Sequence, residues 1–411
     1  MNNGIIAALI RGLSINLTGK PQVVIFEEWK KETPNIAMKV EINFNDSEEA
    51  AADVIRNSYQ TWKKGNSSVD GKITLPACVA LTSNGKNEAL FWIDSNYDSA
   101  QKRRAEKDAS PLIEILEGGS SSFNKVSDKV INTAERANVV KNKIALVTGG
   151  AQGIGEEIAR NLAAAGAFVF VADINLEGAK KLAMQINEIE KRTAAAGIEV
   201  NVSDKESVEA MFNTVLETTG GLDLCVSNAG VLKAGSVLEQ ELSEFKYVTD
   251  INYTGFFVIC KFAGRILRTQ RLTAPLWKTD IIQINSKSGL EGSNKNGAYA
   301  GSKFGGLGLV ASFAMELIEY GIKVNAVCPG NFLDSPLWSD PENGLFVQYL
   351  KTGKVPGAKS IADVRAFYES KVPMKRGCAG KDVMRAIFYI VEQEYETGQA
   401  VPVTGGQVML H

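Results

Sequence analysis

From Lys143 onward the chain alternates short apolar runs with helix-length segments, and that rhythm admits few folds. The runs are Ile144–Val147, Phe168–Ala172, Ile198–Val202, Leu222–Val226, Ile281–Ile284 and Val324–Val327. A strand covered on both faces reads as a near-continuous apolar run, because neither side of its pleat meets water. The intervening segments predict helices over 154–165, over about 175–191 and from about Asp204. Strands joined by helix-length connections predict an α/β fold, a Rossmann-type doubly wound parallel sheet with helices on both faces. Ligands bind such sheets at the carboxyl edge of the strands.

Residues before Lys143 lack this rhythm and read as a small α+β unit. Val23–Phe26 is a short buried strand, and Met38–Phe44 alternates apolar and polar as a half-buried strand should. Asp46 or Ser47 caps a helix running to about Lys64, with Glu48 and Glu49 in its first turn. Strands at Ala77–Thr82 and Glu88–Asp94 flank the turn signal Asn84-Gly85. The flexible run Gly118–Ser122 and a polar helical stretch over about Lys125–Arg136 separate the two parts. We place the division between residues 1–139 and 140–411.

Composition narrows the function. Of the 411 residues, 45% are hydrophobic and 22% charged, and the net charge is -2. That describes an ordinary soluble protein with no basic footprint for nucleic acid and no polybasic membrane patch. Gly4–Ile10 is apolar but short, meets Arg11 at once, and has no basic residue before it. It fails as a signal peptide or a membrane span, and a cytoplasmic location is expected. The five cysteines form no Cys-x-x-Cys pair, and the one histidine is His411. No disulfide framework and no metal site are expected.

The first apolar run leads into Thr148-Gly149-Gly-Ala-Gln152-Gly153-Ile154-Gly155 and then a helix. Glycines let the backbone turn tightly and approach a pyrophosphate, which the helix N-terminus then meets with free N–H groups. Asp173 ends the second run, 18 residues after Gly155. An acid there accepts hydrogen bonds from the adenosine ribose and repels a 2′-phosphate, so NAD is expected in preference to NADP. The competing reading of Asp173 is a plain helix cap.

Two segments carry a phenol and an ammonium four residues apart: Tyr59/Lys63 and Tyr299/Lys303. That spacing puts both on one helix face. A nearby positive charge favours the phenolate, which makes Tyr a base for removing an alcohol proton. Only the second pair lies downstream of the glycine loop, with Ser286 13 residues before Tyr299 and Asn252 further back. Tyr59 and Lys63 are expected on a helix surface.

These residues resemble the short-chain dehydrogenase/reductase family over about 140–411. Thr148–Gly155 is similar to its glycine signature, Asn228-Ala229-Gly230 to its Asn-Ala-Gly segment, and Pro329-Gly330 to the turn after its sixth strand. Asn252, Ser286, Tyr299 and Lys303 fall at its catalytic tetrad positions. The resemblance implies that Tyr299 exchanges the substrate proton and that Lys303 lowers its pKa and holds the nicotinamide ribose. Ser286 would bond the reacting oxygen, and Asn252 would hold a relay water. It further implies cofactor contacts from Gly149, Gln152, Gly153, Ile154, Gly155, Asp173 and Val202. Asn228, Ala229, Gly230, Tyr299, Lys303, Pro329 and Gly330 complete that set.

Further segments resemble the sorbitol-6-phosphate 2-dehydrogenase branch of that family. They are Ile281–Gly289, Lys371–Cys378, and Thr397-Gly-Gln followed by Thr404–Met409, with Thr404 where many members carry Asp. That branch interconverts sorbitol 6-phosphate and fructose 6-phosphate with NAD. The implied substrate residues are Ser286, Lys287, Tyr299, Asn331 and Arg376, with Lys287 as first choice for the phosphate. Lys295, Lys375 and Arg376 are alternatives for the phosphate. A substrate lid is expected between Gly330 and Cys378, with helices around 344–350 and 361–370. A dehydrogenase of another polyol, or a dinucleotide sensor without turnover, are the competing functions. Phe256, Phe257 and Phe262, with Phe304, Leu307 and Leu309, offer apolar surface for a homotetramer or homodimer.

Overall fold

A computed structural model describes residues 1–30, 33–34, 37–66, 72–115, 138–342, 344–351, 353 and 355–409. The Gly118–Ser122 run, the 125–136 stretch and His411 lie outside the described residues. The chain opens with a helix that the apolar run did not announce, α1 (Asn3–Thr18), followed by β1 (Val23–Glu28) and β2 (Met38–Glu41). Then come α2 (Glu48–Gly65), β3 (Lys72–Leu75), β4 (Cys78–Ser83), β5 (Lys86–Asp94), α3 (Tyr97–Glu106) and β6 (Leu112–Ile115). Ser47 caps α2 by accepting from Ala50 N. Asn84 and Gly85 have φ of 51° and 71°, the two positive values of the tight hairpin turn between β4 and β5. The N-terminal sheet has the order β1-β5-β4-β2 and mixes antiparallel and parallel pairs, while β3 pairs with β6.

The second region begins with β7 (Ile144–Thr148), α4 (Gly153–Ala164), β8 (Phe168–Asp173), α5 (Leu176–Glu190), β9 (Ala195–Glu199), α6 (Lys205–Thr219) and β10 (Leu224–Ser227). It continues with α7 (Leu242–Thr249), a π-helical turn (Asp250–Thr254), α8 (Gly255–Thr273), β11 (Thr279–Ile284), α9 (Gly297–Leu317) and β12 (Ile322–Pro329). Three helices follow in the segment expected to form a lid, α10 (Pro336–Ser339), α11 (Leu345–Lys351) and α12 (Ile361–Ser370), then α13 (Gly380–Glu392) and β13 (Ala400–Val403). The seven strands form one parallel sheet in the order β13-β12-β11-β10-β7-β8-β9. Chain order reverses between β7 and β10, so the ligand crevice opens at their carboxyl ends.

The expected doubly wound sheet behind a small α+β region is therefore present. The third strand is Ala195–Glu199 rather than Ile198–Val202. Val200 and Val202 are buried beyond its end, so their apolar alternation records burial on the way to α6 rather than ladder pairing. Phe256 and Phe262 are also corrected. Both are buried in the core of their own chain, and Phe262 stacks on Phe212.

The two regions share a core. Val23, Ile25 and Trp92 of the N-terminal sheet belong to the same apolar cluster as Phe168, Phe212 and Phe262. α1 crosses α8 at Gly12, where a Cβ would lie 2.2 Å from Thr273 Oγ1 and 2.3 Å from Gln270 O. Arg11 is fully buried at this seam. Its guanidinium donates to Asp223 at 2.6 Å, to Gln22 O at 2.6 Å and to Gln270 at 3.2 Å. Asp223 also accepts from Ile144 N and Trp277 Nε1. Burial pushes this carboxyl up, but Arg11 and Lys143 outweigh that and hold it below the usual carboxylate range.

Candidate active site

The glycine loop is built for close approach. Gly149 and Gly153 have φ of 60° and 59°, a conformation that disfavours a side chain. A Cβ on Gly155 would lie 2.0 Å from Gly149 O, and one on Gly149 2.8 Å from Ala229 Cα. Asn228 Nδ2 donates to the carbonyls of Thr148 and Gly149, both at 3.0 Å. Thr148 Oγ1 accepts from the N–H groups of Asn228 and Ala229. Two segments far apart in sequence thus make one loop structure. Gln152 caps α4 without a side-chain bond to it, and half-buried Ile154 follows in the first turn.

Asp173 stands beside that loop. Its Oδ2 accepts from Ala151 N and its Oδ1 from Asn175 N, each at 3.0 Å. The cap of α5 is Asn175, so Asp173 is not spent on capping. Val202 is buried and packs against Gly255, where a Cβ would meet Val202 Cγ2 at 3.1 Å. Gly230 lies beside Asn252 and Lys303: a Cβ there would be 3.2 Å from Asn252 Oδ1 and 3.7 Å from Lys303 Nζ.

At the carboxyl edge of β11, the Ser286 hydroxyl lies close enough to the Tyr299 phenol to favour its ionised form. α9 carries Tyr299, with Lys303 one turn on, Nζ 5.6 Å from the Tyr299 ring centroid. Lys303 Nζ donates to Ile284 O at 3.0 Å. Asn252 sits in the π-helical turn, a local widening common at functional positions. Its Oδ1 accepts from Val231 N, and its Nδ2 donates to Val231 O and to Ser302 Oγ. All four predicted tetrad residues therefore converge on one end of the sheet.

The pKa pattern differs from the expectation. Burial raises the Tyr299 phenol, and the Ser286 hydroxyl only partly offsets it. Burial also lowers the Lys303 ammonium to about 8. Desolvation penalises each charged form more than these two groups help one another. The nearby Cys328 thiol is pushed up to about 12 by burial and stays protonated and inert at neutral pH.

Two supporting residues escaped the sequence reading. Asn285 is buried; its Oδ1 accepts from Ser286 N and its Nδ2 donates to Lys303 O at 2.9 Å. It fixes the serine and the lysine helix against each other. Ser302 links Asn252 to the Tyr299 carbonyl. A polar Asn following an apolar run, as at Asn285, was the available signal.

Three of the expected substrate cations, Lys287, Lys375 and Arg376, are engaged with their own chain. Lys287 Nζ pairs with Glu291 at 3.2 Å, Arg376 makes a two-armed pair with Asp382 at 2.6 and 3.0 Å, and Lys375 donates to Ser370 O. Asn331 follows the Pro329-Gly330 turn. The segment expected to form the lid has its own small core of Leu333, Phe346, Val355 and Val364, with Trp338 and Tyr368 edge to face at 4.9 Å. Tyr59, expected on a surface, is instead buried, and its hydroxyl donates to Thr74 O at 3.1 Å.

Residues 143–342 match the family described as short chain dehydrogenase. Sorbitol-6-phosphate 2-dehydrogenase of Escherichia coli K12 is 37% identical over 271 residues, covering 65% of this chain and 99% of the relative. The chain belongs to the short-chain dehydrogenase family. It is an oxidoreductase, and its family binds nicotinamide dinucleotides. The crystal structure of sorbitol-6-phosphate 2-dehydrogenase SrlD from Erwinia amylovora superposes with a TM-score of 0.60 at 38% identity, covering 65% of this chain and all of that one. The uncharacterized oxidoreductase YuxG of Bacillus subtilis is 26% identical over 340 residues, 79% of this chain and 47% of its own length. That share exceeds the part of the chain from Lys143 onward, so the likeness to YuxG extends into the N-terminal region. Among the described residues no helix is long and apolar enough to cross a membrane.

Proposed function

We propose that the chain is an NAD-dependent dehydrogenase interconverting sorbitol 6-phosphate and fructose 6-phosphate in the cytoplasm. The observation that carries the chemistry is the meeting of Ser286, Tyr299, Lys303 and Asn252 beside the glycine loop. The likeness to two sorbitol-6-phosphate dehydrogenases supports the substrate. The tight glycine turn between β7 and α4, with Gly149 pressed on Ala229 and Gly155 on Gly149 O, fits a dinucleotide-binding loop; the dinucleotide when bound supplies the hydride acceptor. Tyr299 takes the proton from the substrate hydroxyl, Ser286 donates to the reacting oxygen, and Lys303 holds positive charge near the phenol. We read Asp173, whose carboxylate stands beside the glycine loop, as the acid that accepts from the adenosine ribose and repels a 2′-phosphate, which favours NAD.

Lys287 serves the substrate phosphate by leaving Glu291 for it; Arg376 would have to leave a two-armed pair, and we infer that it steadies the lid instead. Residues 1–139 and 140–411 are the two structural divisions, and the first supports the second. Phe257 and Phe304 remain 44% and 47% exposed and Met315 83% exposed, on α8 and α9, and we assign this surface to a homodimer or homotetramer contact.

Turnover of sorbitol 6-phosphate beside plain sorbitol, each with NAD and NADP, tests the reading. Efficient oxidation of the phosphorylated polyol with NAD is expected. Preference for NADP overturns the role given to Asp173, and preference for an unphosphorylated polyol moves the chain to another branch of the family.

A further inference from the structure

The Thr404–Met409 and Lys371–Cys378 segments take no part in the chemistry above, yet the fold brings them together at the foot of the lid. Thr404 Oγ1 donates to Val408 O at 3.1 Å and accepts from Val408 N at 3.3 Å, closing a turn after β13. A carboxylate there would only accept and could not make both bonds. Gly405 and Gly406 have φ of 62° and 86°. A Cβ on Gly405 would lie 2.9 Å from Val372 Cγ1, and one on Gly406 3.0 Å from Pro373. Met374 N donates to Gly405 O at 3.1 Å. The turn is thus pressed onto the end of the lid.

It is also fixed to the beginning of the lid. Gly330 N donates to Val403 O at 2.9 Å, and a Cβ on Gly330 would lie 2.6 Å from Gln407 Oε1. Asn331 N donates to Gln407 Oε1 at 3.1 Å, and Asn331 O accepts from Cys378 N at 2.8 Å. The entry residue of the lid is held on one side by Gln407 and on the other by its exit residue.

We propose that Gln407 is a positioning residue for substrate binding: its carboxamide oxygen clamps the lid stem, Asn331 with Cys378, against the Pro329-Gly330 turn. The proposal rests on the reading of residues 331–378 as the substrate lid. A stem fixed at one register lets the lid close as a unit over the Ser286–Tyr299 edge, so loss of the clamp weakens substrate binding more than chemistry.

Hydrogen exchange of the full-length protein without substrate tests the clamp directly. In Gln407→Leu, the amides of Asn331 and Cys378 should exchange about tenfold faster, the scale of one lost hydrogen bond, while the 148–155 loop is unchanged. Gln407→Glu keeps an acceptor oxygen and should stay near wild type. Unchanged exchange at Asn331 and Cys378 in Gln407→Leu overturns the proposal. So does faster exchange spread evenly over the seven-stranded sheet, which marks a general structural role. With whichever polyol the wild type oxidises, Gln407→Leu should raise KM about tenfold with kcat within about threefold; an unchanged KM overturns the lid link. Failure of the wild type on sorbitol 6-phosphate bears on the proposed substrate alone, because the exchange measurement needs none.

Discussion

The chain contains the same pair twice, Tyr59 with Lys63 on α2 and Tyr299 with Lys303 on α9, and its two regions use it differently. On α2 the phenol is buried and spends its hydroxyl on Thr74 O, while Lys63 faces solvent. On α9 the phenol meets Ser286, and the ammonium is buried against Ile284 O, at the end of β11, with β10 between that strand and β7 of the glycine loop. Spacing along a helix places two groups on one face. What that face meets decides whether the pair packs or reacts.

The regions also differ in what they need from each other. The second has the complete sheet of its family, yet Arg11 of the first neutralises Asp223, which ties the amino ends of β7 and β10 together. The sharpest way to break the comparison is therefore Arg11→Met. It leaves a buried carboxylate without its partner and should cost about 3–5 kcal/mol in denaturant titration at neutral pH. The sign with pH follows from Asp223, whose pKa in the fold lies below its unfolded value. Its contribution is complete above the unfolded value of about 4 and is lost as pH falls through the folded one. The gap between wild type and Arg11→Met should narrow in acid. A variant as stable as wild type would make the N-terminal region a detachable passenger.

Tyr299→Phe keeps the ring and removes the hydroxyl proposed as the proton acceptor. Turnover should fall at least about a hundredfold, near 2.7 kcal/mol, with NAD binding and stability nearly unchanged. Near-normal turnover would remove Tyr299 from the chemistry.

Lys287→Ala probes the rim of the same site. If Lys287 exchanges Glu291 for the substrate phosphate, binding should weaken by about 1.5–3 kcal/mol, seen as a raised KM for the phosphorylated polyol. Equal KM values would move the anchor to another cation. The smallest effect belongs to the other tyrosine. Tyr59→Phe should leave turnover unchanged and cost about 1 kcal/mol of stability through its hydrogen bond to Thr74 O. A large loss of activity would show that the N-terminal region acts on the chemistry and does not merely support it.

The sequence by itself determined the parallel sheet, the glycine loop, Asp173 at the end of β8 and the four converging polar residues. Their signals are local: apolar runs bounded by glycines, and fixed spacings along one helix. It also determined the Asn84-Gly85 hairpin and narrowed the cap of α2 to Asp46 or Ser47, for the same reason. Tertiary structure alone decided what surrounds each group. Tyr59 reads as surface on a polar helix, and its burial depends on contacts remote in sequence. α1 and Arg11 belong to the second region's core only because Asp223, Gln270 and Thr273 meet them more than 200 residues later. Gln407 reaches Asn331 across 76 residues. The pKa order of Tyr299 and Lys303 likewise follows from desolvation by the assembled sheet and helices, a quantity that no local spacing encodes.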